Sequence, residues 1–195
     1  MTPELTVDVA LEDEPISLEL AWTQLALDTD GSPPESAFDT WLEAVGLPAA
    51  REAAENFTGR AFGVKTYRMR AATFPSSITI PIVPLRSVEI SYLDADSTLQ
   101  TLGSGDFEID DTGVFPVLTP TVAWPATDGS AGAVTVTFEV GYTPDAVPRQ
   151  ALLAMLLILG HAFKNREAVT DRELFTLPLG ADFHLRPFRV RLGMA

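Results

Sequence analysis

The chain has 195 residues, 46% of them hydrophobic and 9% aromatic, enough to bury one core or two small ones, which sets it apart from a disordered acidic tail. Its formal charge is −14, and without clustered lysine and arginine it disfavours a broad phosphate-binding face. Cysteine is absent, which removes disulfide scaffolds, thiolate zinc sites and cysteine nucleophiles together.

The charge is unevenly placed. Eleven acidic residues lie between Glu4 and Glu43, and no lysine or arginine precedes Arg51. From Lys164 onward six basic residues face Glu167, Asp171, Glu173 and Asp182. MTPELTVDVALEDEP has neither the basic start nor the apolar stretch of a secretion signal. The longest apolar run, ALLAMLLILG, is about half of the roughly 20 residues that a membrane span needs. The expectation is a soluble protein of the cell interior, or one released by lysis.

Within the acidic stretch, Ser17 is placed to cap a helix over LELAWTQLAL, where Leu18, Trp22 and Leu25 recur at three-to-four spacing. DTDGSPPES is a loop by composition. Phe38, Trp41, Leu42 and Val45 then share one helical face, GLP at Gly46–Pro48 should kink or break it, and AAREAAENFT resumes until Gly59 caps it in the left-handed region. From about Phe62 to Tyr142 the period changes to two. Ile78, Ile80 and Ile82, then Val88, Ile90 and Tyr92, then Val134, Val136, Phe138 and Val140 alternate with mostly polar residues. That pattern predicts an antiparallel sheet covered on one side, with DADS as a hairpin loop and Pro116, Pro120 and Pro125 marking a loop-rich segment.

VPRQ opens a last long helix running to about Asn165. Its middle, Ala151 to Leu159, has no polar face, so it must be covered all round, and a neighbouring subunit is the expected cover. LPLGADFHLRPFRVRLGMA reads as a short helical turn and then an extended end, with Phe188, Val190 and Leu192 alternating with Arg189 and Arg191. The fold class is therefore α+β: a small helical bundle with an inserted antiparallel β domain and an extended C-terminal tail. The expected divisions are 1–61 helical, 62–142 β, 143–178 the helix and turn that complete the bundle, and 179–195 the tail.

Site chemistry is sparse. His161 and His184 are the only histidines, and no HExxH motif occurs, so no metal is expected. Asp28, Asp30, Ser32 and Asp39 have calcium-loop spacing, but Pro33 stands where the loop glycine belongs; DADST fails because Gly105 replaces the final carboxylate. GxSxG, GxxxxGK[ST] and GxGxxG are all missing, and Asp110 and Asp111 would point to opposite faces of a strand. No cofactor and no catalytic set is expected. At the end of the long helix, His161 and Asn165 share a face, Lys164 and Glu167 can pair, and Lys164 and Arg166 suit the helix dipole. Arg166 could instead hold a carboxylate or the helix-end carbonyls and so turn the chain toward its tail.

In order along the chain, PISLELAWTQLALD, AAREAAENFTGRAF, ITIPIVPLRSVEISYLDADST, WPAT, AGAVTVTFEVGYT, VPRQALLAMLLILGHAFKNREAV and LPLGADFHLRPFRVR resemble the head–tail connector, or adaptor, proteins of long-tailed bacteriophages and gene transfer agents. The sequence departs from that pattern in its long acidic start and in Phe163 and Phe188, which stand where tyrosine is expected. The resemblance implies a non-enzymatic ring, usually twelve-fold, assembled in the bacterial cytoplasm and placed in the neck of the particle. Its partners would be the portal protein above, a stopper or tail-terminator below, and other copies of itself, with no membrane. DNA would pass through the ring without specific binding, which an acidic lining would favour. It also implies portal docking by Phe183, Leu185, Arg186, Pro187, Phe188, Arg189, Val190, Arg191 and Leu192, and a turn or subunit contact at His161, Phe163, Lys164, Asn165, Arg166 and Glu167. A tail-completion or stopper ring is the alternative within the same neck, and a soluble enzyme or glycan-binding β module is the alternative outside it.

Overall fold

A computed structural model supplies the structure and describes residues 4–9, 11, 13–31, 35–165 and 178–190. The fold is α+β, and the chain forms two compact units. One comprises Val64–Gly141 together with the N-terminal strand; the other comprises Asp13–Gly63 and Tyr142–Val190.

The helical unit begins with α1 (Leu18–Leu25). Ser17 caps it as the sequence predicts, its Oγ accepting from the Leu20 N–H at 3.3 Å. At Gly46–Pro48, where the sequence expects a kink or a break, the helix is irregular but continuous. A short α2 (Asp39–Trp41) passes through a π-helical turn (Leu42–Gly46) directly into α3 (Leu47–Thr58). The wider π turn is a way to absorb a proline, which lacks an N–H and crowds an ordinary preceding turn. Gly46 also allows close packing: a Cβ there would lie 2.7 Å from Trp41 Cζ3 and 3.1 Å from Leu159 Cδ1. Gly59 ends α3 at φ 72°, its N–H donating to the Glu55 carbonyl at 2.8 Å.

The long helix is α4 (Arg149–Lys164), and a shorter α5 (Leu179–Leu185) follows. The expectation that α4 needs a neighbouring subunit is corrected here. Ala151, Ala154, Met155, Leu156 and Leu159 are buried in one cluster with Ile16, Ala21, Leu42, Ala50, Phe62, Ala181 and Leu185 of the same unit. Leu153, at 41% exposure, is the one large apolar residue of α4 left exposed. The helix is apolar all round because α1, the π turn, α3 and α5 surround it.

Arg51 ties the unit together electrically. It is 4% exposed, donates Nε and Nη2 to Glu14 at 2.9 and 3.2 Å, and donates Nη1 to Glu55 at 2.8 Å. The second Glu55 oxygen accepts the Phe62 N–H at 2.9 Å. Burial works against the Arg51 charge, but the hydrogen bonds and charges of Glu14 and Glu55 outweigh it, and the pKa rises above the ordinary arginine value.

The β unit holds β1 (Glu4–Val9), β2 (Lys65–Ala71), β3 (Ile78–Thr79), β4 (Leu85–Leu93), β5 (Leu99–Thr101), β6 (Phe107–Asp110), β7 (Val117–Pro120) and β8 (Val134–Val140). They form two antiparallel sheets, one in the order β1-β2-β8-β4-β5 and one in the order β3-β7-β6. The alternation in β8 is visible as burial: Val134, Val136, Phe138 and Val140 are inside, while Thr135, Thr137 and Glu139 are half-buried. DADS links β4 to β5, with Asp94 accepting from the Asp96 and Thr98 N–H groups. Two features differ from the sequence expectation. Glu4–Val9, which the sequence places in a helical part, pairs with β2, and the proline-marked segment contains β7, whose Pro120 ends the strand.

Candidate functional site: the helix end and the closing segment

The end of α4 is explained by its own unit. Asn165 caps the helix, its Nδ2 donating to the His161 carbonyl at 2.8 Å and lying 3.4 Å from His161 Nδ1. Phe163 packs inward, edge-on to Phe38 with ring centroids 5.1 Å apart and to Trp41 at 5.7 Å. His161 and Lys164 are exposed on the last turn, where positive charge suits the helix dipole. Arg166 and Glu167 lie outside the described residues. The three apolar rings therefore account for Phe163, and the cap accounts for Asn165.

The closing segment begins with the helical turn that the sequence expects, longer by one 3₁₀ turn, and Arg189 after it is in extended backbone. α5 passes into a single 3₁₀ turn (Arg186–Phe188). Ala181 and Leu185, four residues apart, are fully buried against α4. Leu185 is thus a core residue of its own unit, which corrects its expected place on a docking surface. Phe188 is half-buried and meets the Phe62 ring edge-on at 6.4 Å. Its carbonyl accepts from Arg60 Nε at 2.7 Å, and the Val190 N–H donates to the Thr58 carbonyl at 2.7 Å. The chain is held to its own unit through Val190. Arg191 and Leu192 lie outside the described residues.

What remains on the outer side is a compact set. Phe183 is 71% exposed and meets the His184 ring edge-on at 5.4 Å. Arg186, exposed, is held by Asp182 through Nε at 3.0 Å and Nη2 at 2.5 Å; that hydrogen bond and the carboxylate's charge raise its pKa. Pro187 is exposed, and the Arg189 guanidinium lies 5.3 Å from the centre of the Phe57 ring. His184 Nδ1 is buried without a hydrogen-bond partner among the described residues. One exposed ring, Phe183, near an arginine held by Asp182 can enter an apolar pocket with an acidic rim. The set contains no nucleophile–base pair, and among the described residues no three histidines or carboxylates gather to hold a metal.

The carboxylates elsewhere behave as turn residues. Asp94, Asp110 and Asp128 are held below the ordinary value: Asp94 chiefly by the Thr98 N–H, Asp110 by the Thr112 hydroxyl, and Asp128 by the Ser130 N–H. Among the described residues, no helix is long and apolar enough to cross a membrane.

No protein-family model matches the chain. No curated protein matches it either. Three solved structures share its fold over nearly its whole length. A chain in the neck of an empty gene transfer agent (GTA) particle, computed with C6 symmetry, aligns at a TM-score of 0.73 and 19% identity. A chain in the virion of a native gene transfer agent particle aligns at 0.72 and 18%, and one in the neck of a native particle, computed with C12 symmetry, at 0.68 and 20%. Each alignment covers 98% of this chain and 98% of the other. At these identities the likeness is one of fold, and it includes both units.

Proposed function

We propose that this chain is a structural component of a particle neck: a head–tail adaptor whose copies form a ring, twelve-fold in the simplest case, that binds beneath the portal and continues the DNA channel. The observation that carries this reading is the full-length fold likeness to chains of gene transfer agent necks, two of them in particles computed with six- and twelve-fold symmetry. Similarity of a single unit would say little about assembly, whereas each of these alignments spans 98% of both chains.

Portal docking falls to the outer side of the closing segment: Phe183, Arg186, Pro187 and Arg189. Leu185 and Phe188 act from within by holding that side in place. Binding to immobilised portal rings tests this directly. The wild type binds; Phe183→Ala and Arg189→Glu bind at least ten-fold more weakly while keeping the wild-type circular dichroism. Unchanged binding by both variants would remove the docking role from this segment. Binding to the tail tube and not to portal would favour a stopper ring.

A further inference from the structure

Each of the two sheets of the β unit leaves one end of its apolar face exposed. On the five-stranded sheet one row of paired residues runs Leu5, Met69, Val136, Ile90 from β1 to β4, with exposures of 42%, 5%, 3% and 0%. The next row begins at Val7, 58% exposed, and reaches Phe138 at 1%. The shorter sheet covers this face from β2 onward: Met69, Val134 and Val136 share an apolar groove of about 410 Å³ with Ile78 of β3. β1 projects beyond that cover.

The shorter sheet shows the converse. Its inner row runs Ile78, Leu118, Ile109 from β3 to β6, with exposures of 6%, 0% and 47%. Its far side reaches toward β4, since Asp106 and Thr121, which flank β6 and β7, line a second groove with Tyr92. Ile109, with Val114 at 50% exposure in the following loop, is thus the exposed end of that row, at the side away from β1.

We propose that these exposed ends are the two halves of a lap joint between copies of this chain, β6 of one copy lying over β1 of the next. The joint continues the sheet-on-sheet contact already present inside each copy, so the cover missing at one end is what the other end offers. A contact between two different patches runs head to tail and closes into a ring when its rotation permits. The acidic residues of the two strands lie on the faces turned away from the joint. Thr6 and Asp8, the latter paired with Arg68 at 2.7 Å, alternate to the outer face of β1; Glu108 and Asp110 alternate to the outer face of β6. The proposal rests on the ring reading above and specifies the contact that builds the ring.

The test is a charge exchange at two positions that the folded monomer already exposes, read by sedimentation velocity and mass photometry across concentrations up to the millimolar range. Val7→Lys and Ile109→Glu, each alone, abolish self-association while circular dichroism stays that of the wild type; the double variant, with lysine facing glutamate at each joint, recovers it. Because the chain lacks cysteine, a Val7→Cys/Ile109→Cys variant should give a ladder of oxidised oligomers that ends in closed rings, and either single cysteine no more than dimers. Single charge variants that assemble like the wild type would overturn the lap joint, as would a wild type that stays monomeric throughout. Failure of the neck reading looks different: rings form through these residues, yet the chain is absent from particles.

Discussion

Replacing Arg51 with alanine should be among the most damaging single changes in the helical unit. The guanidinium is 4% exposed and bridges the loop before α1, through Glu14, to α3, through Glu55. Its removal leaves two carboxylates with side-chain exposures of 22% and 14% facing each other across the vacated space. Breaking a buried pair by removing one partner costs about 3–5 kcal/mol. The residual exposure of both carboxylates puts the loss here near the lower end, about 3 kcal/mol. For a unit of about 100 residues that corresponds to a fall of roughly 12–24 °C in melting temperature. Trp22 and Trp41 lie in this unit and Trp124 in the other, so tryptophan fluorescence during heating reports chiefly on the helical unit. The variant E14Q/R51M/E55Q removes all three charges and keeps an acceptor for the Phe62 N–H; it should recover most of the loss. A shift below about 0.5 kcal/mol for Arg51→Ala, or a triple variant no better than the single one, would refute the view that charge left unpaired is what destabilises.

Other outcomes follow from the same geometry. Leu185→Ala should cost about 2–5 kcal/mol in urea unfolding, whereas Phe183→Ala, two residues away on the exposed side, should leave the midpoint unchanged. Gly46→Ala should destabilise because the added methyl meets the Trp41 ring at 2.7 Å, and Trp41→Leu in the same chain should relieve part of that loss. Asp94 is held below the ordinary carboxylate value, so its contribution to stability is complete above the unfolded pKa of about 3.9 and is lost as pH falls through the lower folded value. Asp94→Asn should flatten the stability profile on that acid side and leave it parallel to wild type near neutrality, as measured by denaturation at successive pH values.

Much of the fold is legible in the chain because its signals are local. Ser17 before Leu18, Gly59 after Thr58 and the two-residue period of β8 each depend on neighbours in sequence, and each appears as expected. What is not legible depends on distant partners. β1 has the alternation of a strand in Leu5, Val7 and Val9, but its partner, β2, lies some sixty residues on, and the acidic residues around it resemble a solvated helix. The apolar middle of α4 does announce full burial, yet it cannot say whether the cover belongs to another subunit or to the same chain; α5 supplies it from within. The closing segment misleads for a related reason. Phe188 and Val190 alternate with Arg189 as in a strand, but the buried Ala181–Leu185 pair and a proline at 187 carry the helix and turn through Phe188, and extended backbone begins only at Arg189. Phe163 and Asn165 stand out in sequence as members of a polar-edged cluster, and their work is a ring contact and a cap. Arg51 carries no such signal, because a salt bridge from residue 51 to residue 14 has no characteristic spacing.

The proposed neck role is tested most directly by locating the chain in assembled particles. With a small epitope tag fused to the chain, particles decorated by the matching antibody fragment and imaged by electron cryo-microscopy should carry the label in a symmetric collar between portal and tail. Label on the capsid shell or the distal tail, or tailed particles that contain none of the chain, would contradict it.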